Sequence, residues 1–227
     1  MNLAALRPCS FVDWPGRIAA VAFTQGCNLA CRYCHNPGLV PLRGGGRVSE
    51  EEVLSLLEAR RGRLDGLVVT GGEPTLQPAL PRFLARVKER GFAVKLDTNG
   101  TRPEVVEALL AAGLVDHLAV DLKATPDDAT WLTGSEAQPR GARRCLELAL
   151  ARGVAHEVRT TLASPVHRPE ALDELAGWAR GAQLWAIQRF RPGGHLDPRS
   201  GLAPPGDALL AAAREAAAAH GLALRVR

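Results

Sequence analysis

Three cysteines lie within eight residues of one another, in the order Cys27, Cys31 and Cys34, and His35 follows directly. Their spacing is C-x-x-x-C-x-x-C. Thiolates at short spacing are ligands for iron-sulfur clusters and for zinc, and a C-x-x-C pair also occurs in thiol redox sites. This segment is therefore the first place in the chain where the residue types and their spacing indicate chemistry.

Four kinds of site are consistent with the segment. A c-type haem belongs outside the cytoplasm and uses a second axial ligand such as methionine, whereas the single methionine here is Met1. A Cys3His zinc site would require Cys34 and His35 to bind one ion from consecutive positions, which is a cramped chelate. A redox pair of Cys31 and Cys34 leaves Cys27 without a role. Three thiolates on three irons of a cubane cluster use every cysteine and leave one iron open to a ligand.

The composition narrows the class of protein. The chain has 227 residues, of which 46% are hydrophobic, so we expect one domain spanning residues 1–227 around one core. The 28 basic and 24 acidic residues give a net charge of +4 without a basic block, which argues against a nucleic-acid partner. The apolar run 18–23 is too short to span a bilayer, so we expect no membrane partner. No signal peptide is visible, so we expect a cytoplasmic location.

The two remaining cysteines stand far from the cluster. Five cysteines are an odd number, which argues against a disulfide framework. Cys145 lies in a helical pattern and is expected to be a small buried residue, whereas Cys9 receives no function.

The elements that must position the cluster alternate between short apolar runs and amphipathic segments rich in Ala, Leu and Arg, which predicts βα units. Strands are predicted at 18–24, 66–70, 93–97, 117–121, 157–162 and 183–188. Helices are predicted at 49–60, 77–90, 103–112, 139–152, 168–180 and 206–220, with Ser49 and Glu52 as a capping box on the first. The glycine run 44–46 is predicted to be a loop. Parallel strands joined by single helices form an open barrel or a doubly wound sheet.

Polar and glycine-rich residues follow four of the predicted strands. The segments are Gln25-Gly26-Cys27, Gly71-Gly72-Glu73-Pro74, Asp97-Thr98-Asn99-Gly100 and Asp121-Leu122-Lys123. Folds of the α/β class place their active sites at this edge of the sheet. Paired glycines let a backbone approach a ligand closely, and a glutamate can accept hydrogen bonds from an ammonium group.

The cysteine spacing, with Tyr33 before the last cysteine, resembles that of the radical S-adenosylmethionine (SAM) superfamily. The segment 71–74 is similar to the GGE motif with which these enzymes hold the amino group of the methionine part of SAM. This resemblance implies a 4Fe-4S cluster on Cys27, Cys31 and Cys34. It also implies a partial (β/α)6 barrel with a parallel sheet, with the cluster and SAM at the carboxyl edge.

Further segments resemble the activases of glycyl-radical enzymes, and among them the anaerobic ribonucleoside-triphosphate reductase activating proteins. They are residues 10–16, 34–37, 97–100, 121–123 and 188–193. In that family the DTNG and D-x-K elements contact SAM and, in some members, a monovalent cation near its carboxylate. The resemblance implies that Lys123 meets this carboxylate, with Asp97 and Asp121 beside it, and that Tyr33 lies near the adenine. The whole implied SAM-binding set is Tyr33, His35, Gly71, Gly72, Glu73, Pro74, Asp97, Thr98, Asn99, Asp121, Lys123, Arg159 and His195.

Arg159 and His195 also have ordinary alternatives, namely a surface arginine and a loop histidine. The activity that the resemblance implies is reductive cleavage of SAM to methionine and a 5′-deoxyadenosyl radical, with electrons from a flavodoxin or ferredoxin. That radical would take a hydrogen from a glycine of a partner enzyme, and no side chain of this chain need act as acid or base. Two alternatives stay open: a radical SAM enzyme acting on a small molecule, similar to 7-carboxy-7-deazaguanine synthase, and a non-enzymatic iron-sulfur or zinc-binding module.

Overall fold

The computed structural model describes residues 1–44 and 46–227, so Gly45, in the predicted glycine loop, lies outside the described residues. The strands are β1 (Leu3–Ser10), β2 (Ala19–Thr24), β3 (Gly66–Gly71), β4 (Ala93–Thr98), β5 (His117–Asp121), β6 (Ala155–Leu162), β7 (Trp185–Arg189) and β8 (Leu224–Val226). The helices are α1 (Glu50–Ala59), α2 (Leu80–Glu89), α3 (Pro103–Ala111), α4 (Pro126–Thr133), α5 (Gln138–Ala151), α6 (Pro169–Trp178) and α7 (Asp207–Ala219). Short 3-10 helices occupy Pro37–Leu39 and Pro74–Leu76.

The strand order in the sheet follows the chain order, from β1 to β8. Strand β1 pairs antiparallel to β2, whereas the β2–β3, β3–β4, β6–β7 and β7–β8 pairs are parallel. The predicted α/β class is confirmed, with a mostly parallel sheet. Strand β1, which lies outside the predicted strands, adds an antiparallel edge to this sheet.

Three elements were not predicted, and several boundaries differ by a few residues. Strand β1 mixes alanine, arginine and proline, which gives no strand signal, and β8 has three residues. Helix α4 has weak amphipathic character. Helix α2 begins at Leu80 and not at residue 77, because Gln77 N–H closes the preceding 3-10 turn on Pro74 O at 3.0 Å.

The chain divides into two compact units. The first consists of Met1–Asn28, Gly38–Thr98 and Glu104–Leu118. Its strands β2 and β3 are buried along most of their length, as expected for parallel strands that are covered on both faces. Because β2, β3 and β4 run parallel, their carboxyl ends at Thr24, Gly71 and Thr98 share one edge.

Helix α1 of the first unit begins with the predicted capping box. Ser49 Oγ accepts a hydrogen bond from Glu52 N at 3.1 Å, and the Glu52 carboxylate accepts one from Ser49 N at 2.6 Å. The side chains that α2 buries, Leu80, Phe83, Leu84 and Val87, recur at helical spacing.

The second unit consists of Leu29–Pro37, Asn99–Pro103 and Ala119–Arg227. Cys145 on α5 is fully buried, and its Sγ lies 3.7 Å from Gly100 O, so it is the small buried residue that was predicted. None of the helices in the described part of the chain has the length and apolar character that a membrane span needs.

Candidate functional site

Glu73 follows β3 in the first unit and is fully buried. Three donors converge on its Oε1: Thr75 N at 3.0 Å, Thr75 Oγ1 at 2.6 Å and Thr98 Oγ1 at 2.7 Å. Thr75 lies in the short helix that begins at Pro74, and Thr98 ends β4. The carboxylate is therefore held in one orientation by neutral donors from two neighbouring strand ends, which is the preorganisation that a ligand-binding group needs.

Gly71 and Gly72 let this loop pack closely on the backbone that follows β2. A Cβ on Gly72 would lie 2.1 Å from Gly26 O, and one on Gly71, whose φ is 122°, would lie 2.2 Å from Thr24 N. Gly72 N donates to Thr24 O at 2.9 Å, and Glu73 N donates to Gly26 O at 2.8 Å. The close approach that these glycines permit is to protein backbone, and their contact with a ligand stays a prediction.

Cys27 follows β2 in the same unit, and residues 38–41 hold its backbone. Cys27 N donates to Val40 O at 3.0 Å. The buried Gln25 side chain donates to Gly38 O at 3.0 Å and to Pro41 O at 2.7 Å. The position of this cysteine is thus fixed by main-chain contacts that the spacing of the cysteines could not reveal.

Asp97 near the end of β4 has a partner that the sequence analysis missed. Lys95 is fully buried, and its Nζ lies 2.7 Å from Asp97 Oδ1. Residues two apart on a strand point to the same face, so the sequence did contain a signal for this pair. The pair places a buried ammonium group beside one of the predicted SAM-site aspartates.

Cys31 and Cys34 belong to the second unit. Cys31 is buried, Cys34 is half-buried, and Cys34 N donates to Cys31 O at 2.9 Å in a tight turn. All five cysteines are free thiols, and three thiols in one short loop are the donor set that a 4Fe-4S cluster requires. Within residues 1–44 and 46–227, no group of three or more His, Cys, Asp or Glu side chains is arranged to hold a metal ion, so the cluster ligands stay a prediction.

The end of helix α4 holds the backbone on both sides of Cys31. Arg32 N donates to Leu132 O at 2.9 Å, and Ala30 N donates to Thr133 O at 3.1 Å. The Arg32 guanidinium lies over the Trp131 ring, 4.7 Å from its centroid, and its Nε donates to Trp131 O at 2.8 Å. The end of a helix that was not predicted therefore positions the cysteine loop.

A second segment, after β7, pairs with the same loop. Leu196 N donates to Cys34 O and Asp197 N donates to Arg32 O, both at 3.0 Å. The Asp197 carboxylate also accepts a hydrogen bond from the Arg32 guanidinium. This short backbone pairing gives the 195–197 segment a defined position beside Cys34.

Asp121, Lys123 and Arg159 form a charged cluster at the ends of β5 and β6. Asp121 Oδ1 accepts from Arg159 Nε at 2.8 Å, and Oδ2 accepts from Lys123 Nζ at 2.9 Å. The Arg159 side chain is 13% exposed, so the surface-arginine alternative is wrong. Both donors to Asp121 are therefore cationic. The cluster therefore suits a carboxylate ligand.

The protonation states of this cluster follow from its contacts. Burial opposes the charged form of Asp121, but Arg159 and Lys123 outweigh burial and hold the pKa of Asp121 well below its usual range. Burial likewise opposes the charge of Lys123, yet Asp121 raises the pKa of Lys123 well above its ordinary value. All three groups are consequently charged at neutral pH.

Gln138, at the start of α5, was not among the predicted site residues. It is fully buried, and its Nε2 donates to Asn99 O at 2.8 Å and to Asp121 O at 2.6 Å. Its Oε1 accepts from Lys123 N at 3.2 Å. The Asn99 side chain accepts from Thr101 N at 3.0 Å, which forms a turn within its own loop. Gln138 thus ties two of the predicted SAM-binding loops together.

Tyr33 lies between the two cysteines of the second unit and is 5% exposed. Burial raises the pKa of Tyr33 far above its usual range, although the nearby Lys123 acts in the opposite direction. Its phenol is consequently neutral at any physiological pH. A neutral, buried ring provides an apolar wall beside the cysteines.

His35 and His195 both pack against Phe190, which was not among the predicted site residues. The ring centroid of Phe190 lies 5.5 Å from that of His35 and 5.1 Å from that of His195. His35 Nε2 lies 2.7 Å from Arg191 O, and Gly193 N donates to His195 Nδ1 at 3.3 Å. These contacts account for both histidines as packed side chains, and their contact with SAM stays a prediction.

Comparison with known families gives a match over most of the chain. Residues 21–180 match the model of the Radical SAM superfamily. The chain is 35% identical over 189 residues to the "Putative glycyl-radical enzyme activating enzyme MJ1227" of Methanocaldococcus jannaschii, which covers 81% of this chain and 77% of that protein. It is 36% identical over 132 residues to the pyruvate formate-lyase-activating enzyme of Clostridium pasteurianum, and the match covers 56% of this chain and 54% of that enzyme.

Solved structures share the fold, and two of them serve as examples. A radical SAM methyltransferase from Sphaerobacter thermophilus superposes with a TM-score of 0.73 at 20% identity, over 96% of this chain and 68% of that one. SuiB of Streptococcus suis, bound to its precursor peptide SuiA, gives a TM-score of 0.72 at 14% identity, over 91% of this chain and 48% of that one. Identities this low show the fold alone, and they confirm an open, mostly parallel α/β core of the radical SAM type.

Proposed function

We propose that this chain, which belongs to the radical SAM superfamily of enzymes, installs a glycyl radical on a partner enzyme. The observation that carries the proposal is the 35% identity to a protein named as a glycyl-radical enzyme activating enzyme, which extends over 81% of the chain. Membership of the superfamily implies a 4Fe-4S cluster and SAM. The proposed partner is a glycyl-radical enzyme such as an anaerobic ribonucleoside-triphosphate reductase, and residues 1–227 are proposed to act as one domain.

The proposed cluster ligands are Cys27, Cys31 and Cys34. The support is the chemistry of the donor set, which consists of three free thiols. Backbone hydrogen bonds hold each cysteine: Cys27 bonds to Val40, and Cys31 and Cys34 bond to each other. When bound, the cluster supplies one electron for the reductive cleavage of SAM to methionine and a 5′-deoxyadenosyl radical. The chain itself needs to bind and orient the reactants, and no side chain has to move a proton.

The proposed SAM contacts divide by charge. Lys123 and Arg159 would hold the carboxylate of the methionine part, because both are cationic hydrogen-bond donors at the ends of β5 and β6. Glu73 would accept hydrogen bonds from the ammonium group, and the threonines on its Oε1 keep it oriented for that purpose. The remaining residues of the proposed set are Tyr33, His35, Gly71, Gly72, Pro74, Asp97, Thr98, Asn99 and His195.

The proposal also includes an electron donor of the flavodoxin or ferredoxin type. We place the reaction in the cytoplasm, where a reducing environment keeps thiol ligands available for iron. Nucleic acid is not part of the proposal, because the basic residues are spread along the chain and form no block.

The test follows one hydrogen atom. The reconstituted protein, dithionite, SAM and an anaerobic ribonucleoside-triphosphate reductase labelled with Cα-deuterated glycine are mixed without oxygen. The Cα–D bond of one glycine should break, the deuterium should appear in 5′-deoxyadenosine, and an organic radical should appear on the reductase by electron paramagnetic resonance. A reductase with the radical glycine replaced by alanine is the matched control and should give no such radical. If SAM is cleaved and a small molecule is turned over, but no deuterium leaves the glycine and no radical forms on the reductase, the proposal is overturned.

A further inference from the structure

The two aspartates that the sequence motifs placed beside a monovalent cation are Asp97 and Asp121. A protein site for a hard cation needs oxygen ligands whose negative charge is available to the ion. The contacts of each carboxylate therefore decide whether the residues of this chain fit such an ion, and the two can be considered separately.

Asp97 is paired inside the first unit with a full positive charge. Lys95 has no exposed side-chain surface, and its ammonium lies 2.7 Å from Asp97 Oδ1. A buried ammonium group cannot exchange its partner for water, so it stays with the carboxylate. The formal charge of the pair is zero. Lys95 already stands where a monovalent cation would neutralise Asp97.

Asp121 in the second unit forms ion pairs with two basic side chains. Arg159 Nε donates to Oδ1 at 2.8 Å and Lys123 Nζ donates to Oδ2 at 2.9 Å, so each carboxylate oxygen has a charged donor. The two cationic groups repel a metal cation that approaches this carboxylate. The residues at this second carboxylate therefore do not fit a monovalent cation either.

The use of lysine, and not arginine, beside both aspartates also indicates that a side chain takes the place of a cation. The chain has 28 basic residues, and the three that are lysines are Lys88, Lys95 and Lys123. Two of these three lie beside the two aspartates in question. An ammonium is a compact point charge, unlike the planar guanidinium, and is thus the side-chain group that most resembles an alkali ion.

We infer that this chain supplies the cation from its own side chains, with Lys95 in the place of the metal ion, and binds SAM independently of sodium or potassium. The inference rests on the proposed function, since it concerns the same SAM site. It corrects the expectation of a monovalent cation, which we do not propose for this chain. Lys95 is a positioning residue in this account, because it acts on SAM through Asp97.

The test compares salts at equal ionic strength. SAM is titrated anaerobically into the reconstituted protein by calorimetry in choline chloride, sodium chloride or potassium chloride, and thermal unfolding of the metal-free protein is followed in the same salts. For the unaltered protein the SAM dissociation constants should agree within about twofold, because equal ionic strength keeps screening constant. The unfolding midpoint should also be the same in all three salts.

The variant Lys95→Met removes the ammonium and keeps an unbranched apolar chain. It should bind SAM at least about tenfold more weakly than the unaltered protein in choline, a difference of about 1.4 kcal/mol, and recover affinity in potassium. Lys88→Met is the matched control, since Lys88 pairs with Asp116 at a partly exposed position and should show no salt preference.

Each outcome bears on a different claim. If potassium or sodium tightens SAM binding to the unaltered protein tenfold, the chain uses a metal cation and the inference is wrong, whether or not Lys95→Met folds. If Lys95→Met binds SAM in choline as tightly as the unaltered protein, Lys95 has no such role. If no SAM binds in any salt, the proposed function itself fails.

Discussion

Glu73 is a fully buried carboxylate after β3 in the first unit, whereas Asp121 is a partly buried carboxylate that ends β5 in the second, and the donors described above for the two differ in charge. The three bonds to Glu73 Oε1 come from two threonines and add no positive charge. The bonds to Asp121 come from Lys123 and Arg159 and bring two positive charges. Neutral donors fix the direction of an acid, whereas charged donors turn the acid into the centre of a positive site.

The largest effect is expected from Asp121→Asn. The change removes the carboxylate charge beside Lys123 and Arg159, whose side chains are 14% and 13% exposed. Removing one partner of a largely buried ion pair should lower the free energy of unfolding by about 3 kcal/mol, which urea denaturation measures. The control Glu51→Gln breaks a bridge at a side chain that is 71% exposed and should cost less than about 1 kcal/mol. Equal losses in the two variants would show that charge does not hold the Asp121 cluster.

Glu73→Gln should have a smaller effect on stability, because an amide oxygen can still accept the threonine hydrogen bonds. We expect a loss of about 1 kcal/mol or less, compared with about 1–3 kcal/mol for Glu73→Ala, which removes the acceptor of three buried hydrogen bonds. Affinity for SAM should fall about tenfold in the Gln variant, since the proposed partner of the ammonium group loses its charge. Unchanged SAM affinity in calorimetry would remove Glu73 from the SAM site.

Mild acid should weaken the second unit through His167 and not through Asp121. Burial lowers the pKa of His167, although its backbone bonds to Lys123 and Ala163 act the other way. The unfolded chain takes up a proton near pH 6.5 before the folded chain does, so this contribution to stability is present above about pH 6.5 and is lost as the pH falls. Asp121 stays ionised in that range. Between pH 7.5 and 5.5, the free energy of unfolding measured in urea should therefore fall less in His167→Gln than in the unaltered protein. The same dependence on pH in both proteins would contradict this account.

Tyr33→Phe should have the smallest effect. The phenol is buried and neutral, and phenylalanine keeps the ring that walls the cysteine loop. We expect less than about 1 kcal/mol in stability and less than about a twofold change in the rate of SAM cleavage. A loss of SAM cleavage in this variant would mean that the hydroxyl itself contacts a reactant.

The sequence predicted the parallel strands and the loops after them because both carry strong local signals. Apolar runs such as 66–70 are too short for a buried helix, and Gly71-Gly72 and Asn99-Gly100 mark where strands end. Ser49 and Glu52 identify the start of α1 by their spacing alone. These features depend on residues that are neighbours along the chain, which is why a sequence suffices to find them.

The supports of the cysteine loop could not be predicted, because they join distant parts of the chain. Arg32 and Asp197 are separated by 165 residues, and nothing in either segment identifies the other. Helix α4 was not predicted, because its apolar residues follow no strong helical period. Its end nevertheless holds the cysteine loop through Leu132 and Thr133. Gln138 was missed for the same reason, as its three partners come from two other loops.

The central claim is that Cys27, Cys31 and Cys34 hold a cluster at which SAM is cleaved. Its most direct test is anaerobic reconstitution with iron and sulfide, followed by dithionite and SAM, with 5′-deoxyadenosine as the readout. The unaltered protein and the control Cys145→Ala, which changes a buried thiol of α5, should both give the product, and Cys31→Ala should give neither a full cluster nor the product. A colourless protein that takes up zinc and ignores SAM, or a Cys31→Ala variant that cleaves SAM normally, would contradict the claim.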